Sequence, residues 1–151
     1  MQEITIVMLA IVGFAIGFPL FWMAIIMLIS RIGGWSELTK RFGSDAPAKG
    51  EVFTWCSARL RALCNYSNCL RVTVSDAGIH IRTLIFFKMG HRPLFIPWRA
   101  VQDLKVRRYW RYSSGTLAIT DESPDWSATI VLYGWGLAER LKEGFDNTRS
   151  A

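Results

Sequence analysis

The chain has 151 residues, of which 51% are hydrophobic, and it carries a formal net charge of +6 at neutral pH. This length leaves room for one modest domain and a short appendage, and it excludes a second large domain. Its three cysteines are an odd number, which suits a reducing compartment better than a framework of disulfides.

The first predicted element is a membrane-spanning helix. Residues 4–29 contain no charged side chain, and a helix crosses a bilayer with about 20 apolar residues. A signal peptide would begin with basic residues and have a shorter apolar core and a small-residue cleavage site. This chain begins Met1-Gln2-Glu3 and has no such site around Ser30. We therefore expect residues 1–31 to be a retained transmembrane anchor.

The charges that flank this helix predict its orientation. Glu3 precedes the apolar stretch, whereas Arg31, Lys40, Arg41 and Lys49 follow it. Loops rich in Lys and Arg remain on the cytoplasmic side. We therefore expect a single-pass protein whose N-terminus lies outside and whose C-terminal domain lies in the cytoplasm.

Two glycines inside the predicted span suggest contact with another helix. Gly13 and Gly17 form a G-x-x-x-G pair, a spacing that lets a second membrane helix approach closely. Glycine is also common in membrane helices, so a pair without a packing role is the alternative. We treat both glycines as candidate helix-packing residues.

A short amphipathic helix is predicted at residues 35–42, directly after Gly33-Gly34. Trp35, Leu38 and Phe42 recur at helical spacing and share one face. This face is expected either to lie along the lipid headgroups, as an interfacial helix does, or to pack on the domain. The sequence leaves both alternatives open.

A mainly β domain is predicted to follow a linker at residues 43–50. From residue 51 the apolar side chains alternate with a period of two, which is typical of strands. A turn at Asp76-Ala77-Gly78 is expected, with Gly78 suited to positive φ. Residues 59–68 fit either an extension of the first strand or a turn at 65–68. The predicted strands are 51–58, 70–75, 79–82, 94–98, 103–109, 116–120 and 128–133.

The last predicted element is a helix. Leu137, Leu141 and Phe145 recur every four residues, which places them on one helical face, and Gly144 is expected to stop the helix near its end. The predicted organisation is then an anchor at 1–31, an amphipathic helix and linker at 32–50, a β domain at 51–146 and a tail at 147–151.

This order of elements resembles that of a pleckstrin-homology-like (PH-like) barrel. Residues 93–101, PLFIPWRAV, are similar to the P-L-x-I-P-W-x-x-I stretch of bacterial PH and GRAM-type domains, and residues 69–79 resemble their second hairpin. The resemblance implies a seven-stranded open barrel or sandwich capped by the C-terminal helix. It also implies a bacterial protein, so the membrane is expected to be the inner (cytoplasmic) one.

The resemblance to the PH-like class does not settle the function. Members of that class bind phosphoinositides, peptides or partner proteins. Their phosphoinositide hairpin joins the first two strands, where this chain has Arg59, Arg61 and Arg71 without the dense Lys/Arg pattern. The sequence therefore does not predict specific phosphoinositide recognition.

No catalytic, cofactor-binding or metal-binding set is predicted. His80 and His91 lack a catalytic context and are expected at the surface. Cys56, Cys64 and Cys69 have no C-x-x-C spacing, so they are expected to act as small buried apolar residues. The chain is therefore predicted not to be an enzyme, and a thiol or metal enzyme that uses the three cysteines is the weakest hypothesis.

The densest polar feature lies at residues 99–112. Along the predicted strand, Lys105, Arg107 and Tyr109 share one face. Such a basic and aromatic surface suits anionic lipid headgroups or an acidic protein partner, while a tether to the membrane argues against nucleic acid. A solvated face that protects a strand edge is the alternative. The candidate binding residues are Arg99, Lys105, Arg107, Arg108, Tyr109, Trp110 and Arg111.

The chain also holds seven tryptophans. Trp55, Trp110, Trp126 and Trp135 are scattered along the predicted domain, and aromatic residues are enriched at protein interfaces. We therefore expect a non-catalytic, membrane-anchored interaction module, an accessory subunit that binds other membrane-protein subunits of a respiratory, photosynthetic or envelope complex. The alternative is a tethered sensor of anionic lipid.

Overall fold

The structure is a computed structural model that describes residues 1–60, 64–88, 90–110, 112–123 and 125–150, with the backbone alone of Phe86. Its first element is helix α1, Gln2–Ile32. Its 31 residues give a length of about 46 Å, against a hydrocarbon thickness of about 30 Å. The most apolar 18-residue window of α1 has no buried residue. Among the described residues, α1 is the one helix long and apolar enough to cross a membrane.

Two glycines lead from α1 into helix α2, Trp35–Phe42. The Gly33 N–H donates to the Ile29 carbonyl at 2.7 Å, and Gly34 has a φ of +79°, which glycine adopts at little cost. A Cβ at Gly33 would lie 2.9 Å from the Cys64 sulfur. The junction between the two helices therefore lies directly against the β domain.

The apolar face of α2 packs on the domain. Trp35, Leu38 and Phe42 are 1%, 3% and 8% exposed and belong to the core. The Trp35 indole N–H donates to the Arg92 carbonyl at 3.0 Å, and the Phe42 ring centroid lies 5.9 Å from that of Trp126. Of the two predicted positions for this face, along the lipid headgroups or packed on the domain, the structure shows the second. The three side chains are buried in the core of the domain.

In the described part of the chain, seven antiparallel strands form one sheet in the order β4-β3-β2-β1-β7-β6-β5. Strands β4 and β5 are therefore its edges. The predicted strands differ from these by at most three residues at their ends, except that β2 begins six residues earlier than predicted, and the predicted fold class is confirmed. The strands are β1 Glu51–Leu60, β2 Cys64–Val74, β3 Gly78–Thr83, β4 Leu94–Pro97, β5 Val101–Arg108, β6 Ser113–Thr120 and β7 Ser127–Gly134.

The sheet curls into a half-barrel around one core, and alternate residues of its strands face that core. On β2, Leu70, Val72 and Val74 are fully buried, whereas Arg71 between them is exposed. Helix α3, Leu137–Ser150, packs against β5, β6 and β7. It buries the predicted apolar face of Leu137, Leu141 and Phe145 in the core. This architecture is compatible with a PH-like fold.

Residues 59–68 extend β1 and begin β2. Arg59 pairs with Asn65, and Ala58 pairs with Tyr66, so the alternative of a turn at 65–68 is wrong. The connection at 61–63, which includes Arg61, lies outside the described residues. The strand period was hard to read here because polar residues are frequent on the outer face and the pairing of β1 with β2 contains register shifts.

The predicted turn between β2 and β3 is present, but Gly78 does not have the predicted positive φ. The Ser75 N–H donates to the Gly78 carbonyl at 2.9 Å, and Gly78 is not among the glycines with positive φ. A Cβ there would lie 2.3 Å from the Ile96 carbonyl oxygen of β4. Glycine is therefore needed for the close approach of two strands.

Gly144 lies inside α3 and does not stop it, so that prediction is wrong, and residues 147–150 of the predicted tail are helical. A Cβ at Gly144 would lie 2.4 Å from Cζ2 of Trp98. The Trp98 indole occupies the space where a side chain would project. Glycine at this position is thus a packing requirement.

His91 is buried, so the prediction of a surface residue is wrong for it. The side chain is 2% exposed, its Nε2 lies 3.1 Å from the Tyr66 hydroxyl, and its ring centroid lies 5.2 Å from that of Trp35. The surrounding loop is held against α1, because the Ser30 hydroxyl donates to the Gly90 carbonyl at 2.7 Å. That contact encloses the imidazole.

Candidate interaction surface

Strand β5 presents basic side chains to solvent at an edge of the sheet. Leu104 and Val106 are half-buried, whereas Lys105 and Arg107 are exposed, as a period of two requires. In the sheet as described, β5 pairs with β6 alone. The basic row is therefore accessible along the outer side of an edge strand.

The basic side chains of β5 have weak partners within the chain. Lys105 Nζ lies 3.6 Å from Asp103, and Arg108 Nη2 lies 3.2 Å from Glu139. All four side chains are at least 43% exposed, and such surface pairs typically contribute about 0–1 kcal/mol. Among the described residues, Arg107 forms no ion pair. An acidic partner that binds these side chains would therefore break only weak ion pairs within the chain.

Arg99 does not belong to this group in space. It lies in a 3₁₀ turn, Trp98–Ala100, before the start of β5, and it lines a shallow pocket with Phe145 and Arg149 of α3. Six steps along β5 lead from Val101 to Arg107, roughly 20 Å of extended strand, and Arg99 lies before them in the turn. The proximity of these residues in sequence misled the prediction, because a strand spreads its residues along its length.

A tight aromatic turn joins β5 to β6. The Tyr109 N–H donates to the Tyr112 carbonyl at 2.9 Å, and the two rings stack with centroids 5.2 Å apart. Trp110, at the tip of this turn, is fully exposed. Arg111, the remaining predicted binding residue, lies outside the described residues. The basic row of β5 thus ends at a set of accessible aromatic rings.

Two tryptophans that are distant in sequence lie at the same end of the sheet. Trp55 and Trp135 are 68% and 78% exposed and line a groove of about 960 Å³ together with Tyr112 and Tyr133. Trp126, in contrast, lies at the other end of β7 and donates to Glu37 of α2. Three of the four scattered tryptophans therefore share one end of the sheet.

We call this surface the aromatic-basic end. It lies beside the middle of β1, where β7 finishes and where β5 turns into β6. Its members among the described residues are Trp55, Lys105, Arg107, Arg108, Tyr109, Trp110, Tyr112, Tyr133 and Trp135.

A bulge in β1 turns Trp55 outward. Trp55 and Asn68 have φ of +58° and +51°, in the left-handed region that L-residues avoid. The Asn68 N–H donates to the Ser57 hydroxyl at 2.9 Å, which braces the irregular pairing of β1 with β2. Strain of this kind, about 1–3 kcal/mol per residue, concentrates at functional sites.

The predicted helix-packing face of α1 is open. A Cβ at Gly13 or Gly17 would meet no atom within 4 Å, so nothing in the described chain occupies the G-x-x-x-G groove. Space for a second helix is therefore available at this position.

Two of the three cysteines are buried, as predicted for small apolar residues. Cys56 and Cys69 are buried and Cys64 is half-buried. Burial raises the pKa of the Cys56 thiol to about 11 and also raises the pKa of Cys69. The thiolate is the reactive form of cysteine, so these two thiols are held in their less reactive state. No group of three His, Cys, Asp or Glu residues suited to a metal occurs in the described ranges.

His80 is half-buried on β3, where its ring centroid lies 4.5 Å from that of Phe95. Burial, and then the positive charge of Arg82, lower the pKa of His80 from its ordinary value. As the pH falls through about 6.5, the ordinary value for histidine, the unfolded chain takes up the proton before the folded chain does. The folded state should therefore lose stability as the pH falls through this range.

This pH dependence can be measured with the variant His80→Gln, which cannot take up the proton. We expect the free energy of unfolding to decrease less between pH 7.5 and pH 5.5 for His80→Gln than for the unchanged protein. Urea unfolding at both pH values gives the comparison. An identical decrease in the two proteins would show that His80 contributes nothing to it.

A comparison of the chain with protein-family models gives no match, and a comparison with curated proteins gives none either.

Proposed function

We propose that this chain is a non-catalytic, membrane-anchored interaction module of a bacterial cell. In this proposal α1 crosses the inner membrane, and the PH-like domain, of the bacterial type, lies in the cytoplasm. The module serves as an accessory subunit that holds an acidic protein partner at a larger membrane complex. The observation that carries the proposal is the position of the aromatic-basic end relative to α1.

The tryptophans of the aromatic-basic end lie away from the point where α1 meets the domain, although the strand register places Lys105 level with Arg59. Gly33 approaches Cys64 at the start of β2, and Cys64 pairs with Leu60 at the end of β1. Trp55 is five residues back along β1, about 16 Å away by strand geometry. A surface so placed is directed toward the cytoplasm more than toward the bilayer, which supports a protein partner over lipid headgroups.

The chemistry of this surface also suits a protein partner. Arg, Tyr and Trp are the residue types enriched at the energetic centres of protein interfaces. Trp110 is fully exposed, so a partner that covers it would bury a large apolar surface. The neighbouring Lys105 and Arg107 would steer an acidic surface toward it.

The transmembrane part of the proposal depends on α1. The open G-x-x-x-G groove at Gly13 and Gly17 would receive a helix of another membrane subunit. The excess of basic residues after α1 supports the cytoplasmic orientation. Together the two surfaces would let the module bridge a membrane subunit and a cytoplasmic one.

The test is recovery of the partner with the tagged full-length chain in mild detergent. The double variant Lys105→Glu/Arg107→Glu reverses the charge of the basic row, and we expect it to recover at least about tenfold less partner, since opposed like charges cost several kcal/mol at an interface. Mass spectrometry of the purified material quantifies the recovery relative to the tagged chain.

The matched control is Lys49→Glu/Lys142→Glu, which changes the net charge equally at two exposed lysines elsewhere on the chain. This control should recover the partner normally. Equal recovery by both double variants would contradict the proposal, and equal loss would show that net charge alone is responsible.

The alternative function is a lipid sensor that α1 merely localises. It is favoured by charge: without Glu3 and Arg31, the totals of 12 acidic and 18 basic residues leave 11 and 17 beyond the first helix. Such an excess attracts anionic headgroups, at about 1 kcal/mol per basic residue near the surface. In this case purification in mild detergent would yield the chain without a stoichiometric partner.

A further inference from the structure

A second basic site lies near the end of α1, on the outer face of β2 and β3. It is a pocket of about 540 Å³ whose lining includes Arg71, Arg82 and Lys88. Arg71 and Arg82 are directly opposite each other in the antiparallel pairing. Like charges in that arrangement destabilise a sheet. Their juxtaposition therefore points to an anion that would neutralise them.

The protein itself provides little neutralising charge in this pocket. Asp45 is the one carboxylate among the described lining residues, and it already pairs with Arg92 at the surface. In the described part of the chain, Arg71 and Lys88 form no ion pair. The pocket therefore has a clear excess of positive charge.

Arg82 adds a donor that has no acceptor. Its Nη2 donates to the Ala46 carbonyl at 3.0 Å, which fixes the guanidinium against the linker between α2 and β1. Its Nε is a buried side-chain nitrogen without a hydrogen-bond partner within the described residues. Buried polar atoms normally have partners, so the guanidinium is not fully satisfied within the described residues.

The pocket lies at the height of the lipid headgroups if α1 spans the bilayer. The Gly90 carbonyl, two residues from Lys88, accepts the hydrogen bond from Ser30 in the last turn of α1. The 31 residues of α1 exceed the roughly 20 that hydrocarbon requires, so its last turn emerges among the headgroups. Ile85, on the rim of the pocket, is 78% exposed, and an apolar side chain there suits the boundary of the acyl chains.

We propose that this pocket binds the phosphate of an anionic phospholipid in the leaflet where α1 ends. Arg71 and Lys88 supply charge, Arg82 supplies a fixed guanidinium, and Ile85 contacts the apolar part of the lipid. The inference requires α1 to lie in a membrane, but it is independent of the protein partner and of the aromatic-basic end. The module would thus be oriented on the bilayer by a lipid while its far end remains free.

The experiment uses the full chain in a non-ionic detergent, with phosphatidylglycerol or phosphatidylcholine added in equal amounts. Native mass spectrometry measures the fraction of protein that retains a lipid. We expect retention of phosphatidylglycerol over phosphatidylcholine, and about 30-fold weaker retention of phosphatidylglycerol by Arg71→Ala/Lys88→Ala. Both residues are exposed, so the fold should tolerate the change.

Two further variants separate specific binding from general charge. Arg71→Lys/Lys88→Arg keeps both charges and should retain phosphatidylglycerol as the unchanged protein does. Lys105→Ala/Arg107→Ala removes two charges from β5 and should also leave the retention of phosphatidylglycerol unchanged. The proposal would be overturned if Lys105→Ala/Arg107→Ala lost as much phosphatidylglycerol as Arg71→Ala/Lys88→Ala does. Equal retention of phosphatidylglycerol and phosphatidylcholine by the unchanged protein would also overturn it. Recovery of the protein partner should be unaffected by Arg71→Ala/Lys88→Ala, so the lipid site and the proposed function can fail separately.

A final arm distinguishes a lipid from a soluble phosphate. Inorganic phosphate or glycerol phosphate is added at millimolar concentration to the complex with phosphatidylglycerol. If the pocket is a lipid site, the lipid should remain bound, because its acyl chains contribute contacts that a free phosphate lacks. Displacement by either soluble anion would assign the pocket to a soluble phosphate and would overturn the lipid proposal.

Discussion

Replacing Trp35 by alanine is expected to lower the free energy of unfolding of the domain by about 3–5 kcal/mol, the usual range for a large aromatic side chain removed from a core. Trp35 is 1% exposed, and its ring centroid lies within 5.3 Å of those of Tyr66 and His91. The substitution also leaves the Arg92 carbonyl without its donor. Urea-dependent pulse proteolysis of the full chain in detergent measures the change.

The control is the same substitution at Trp110, which is fully exposed. Surface substitutions usually change stability by less than about 0.5 kcal/mol, so Trp110→Ala should unfold at the same urea concentration as the unchanged protein. The comparison also tests where α2 belongs. If Trp35 served mainly to anchor α2 among lipid headgroups, Trp35→Ala would not destabilise the β domain, and the two variants would behave alike.

Burial of α2 changes how the anchor and the domain are related. A headgroup-bound helix would leave the domain tethered by a loose linker, whereas the packed helix contributes Trp35, Leu38 and Phe42 to the core itself. The Ser30–Gly90 hydrogen bond adds a direct contact between the first helix and the loop after β3. The domain is thus fixed close to the end of α1, which is the arrangement that the proposed lipid site requires.

Local periodicity was sufficient to predict the strands and the closing helix. The burial of Leu70, Val72 and Val74 and the exposure of Arg71 follow from one face meeting the core and the other meeting water, although Thr73 on the outer face is buried too. The four-residue recurrence of Leu137 and Leu141 similarly follows from one buried helical face. Such patterns extend over a few residues and need no knowledge of what lies opposite in the fold.

Contacts between distant segments were beyond this kind of reasoning. Trp55 and Trp135 come together because β1 pairs with β7, and the bulge that exposes Trp55 has no signal in composition. His91 lies between Gly90 and Arg92 in sequence, which gives no sign of burial, yet the contact between its loop and α1 encloses it. The opposition of Arg71 and Arg82 likewise depends on strand register, although the short turn at Ser75–Gly78 would have allowed that register to be counted.

Gly144→Ala is expected to destabilise the domain by about 1–3 kcal/mol, the usual cost of forcing an extra methyl group into a packed core. Helix propensity alone predicts the opposite sign, since alanine is favoured over glycine by about 1 kcal/mol in a helix interior. Packing should prevail because the new Cβ would lie 2.4 Å from Cζ2 of Trp98. Urea unfolding of the full chain in detergent determines the sign directly.

Two further variants identify the cause of this destabilisation. Asn147→Ala, at an exposed position of α3, should be neutral or slightly stabilising, as propensity predicts. In the background Trp98→Leu, which removes the indole, Gly144→Ala should lose its cost and become stabilising, so the double-mutant cycle should show strong coupling. Additive effects would mean that the two residues do not compete for the same space. A stabilising Gly144→Ala in the unchanged background would mean that α3 can move away from Trp98, and that the helix rests on the half-barrel more loosely than its buried leucines indicate.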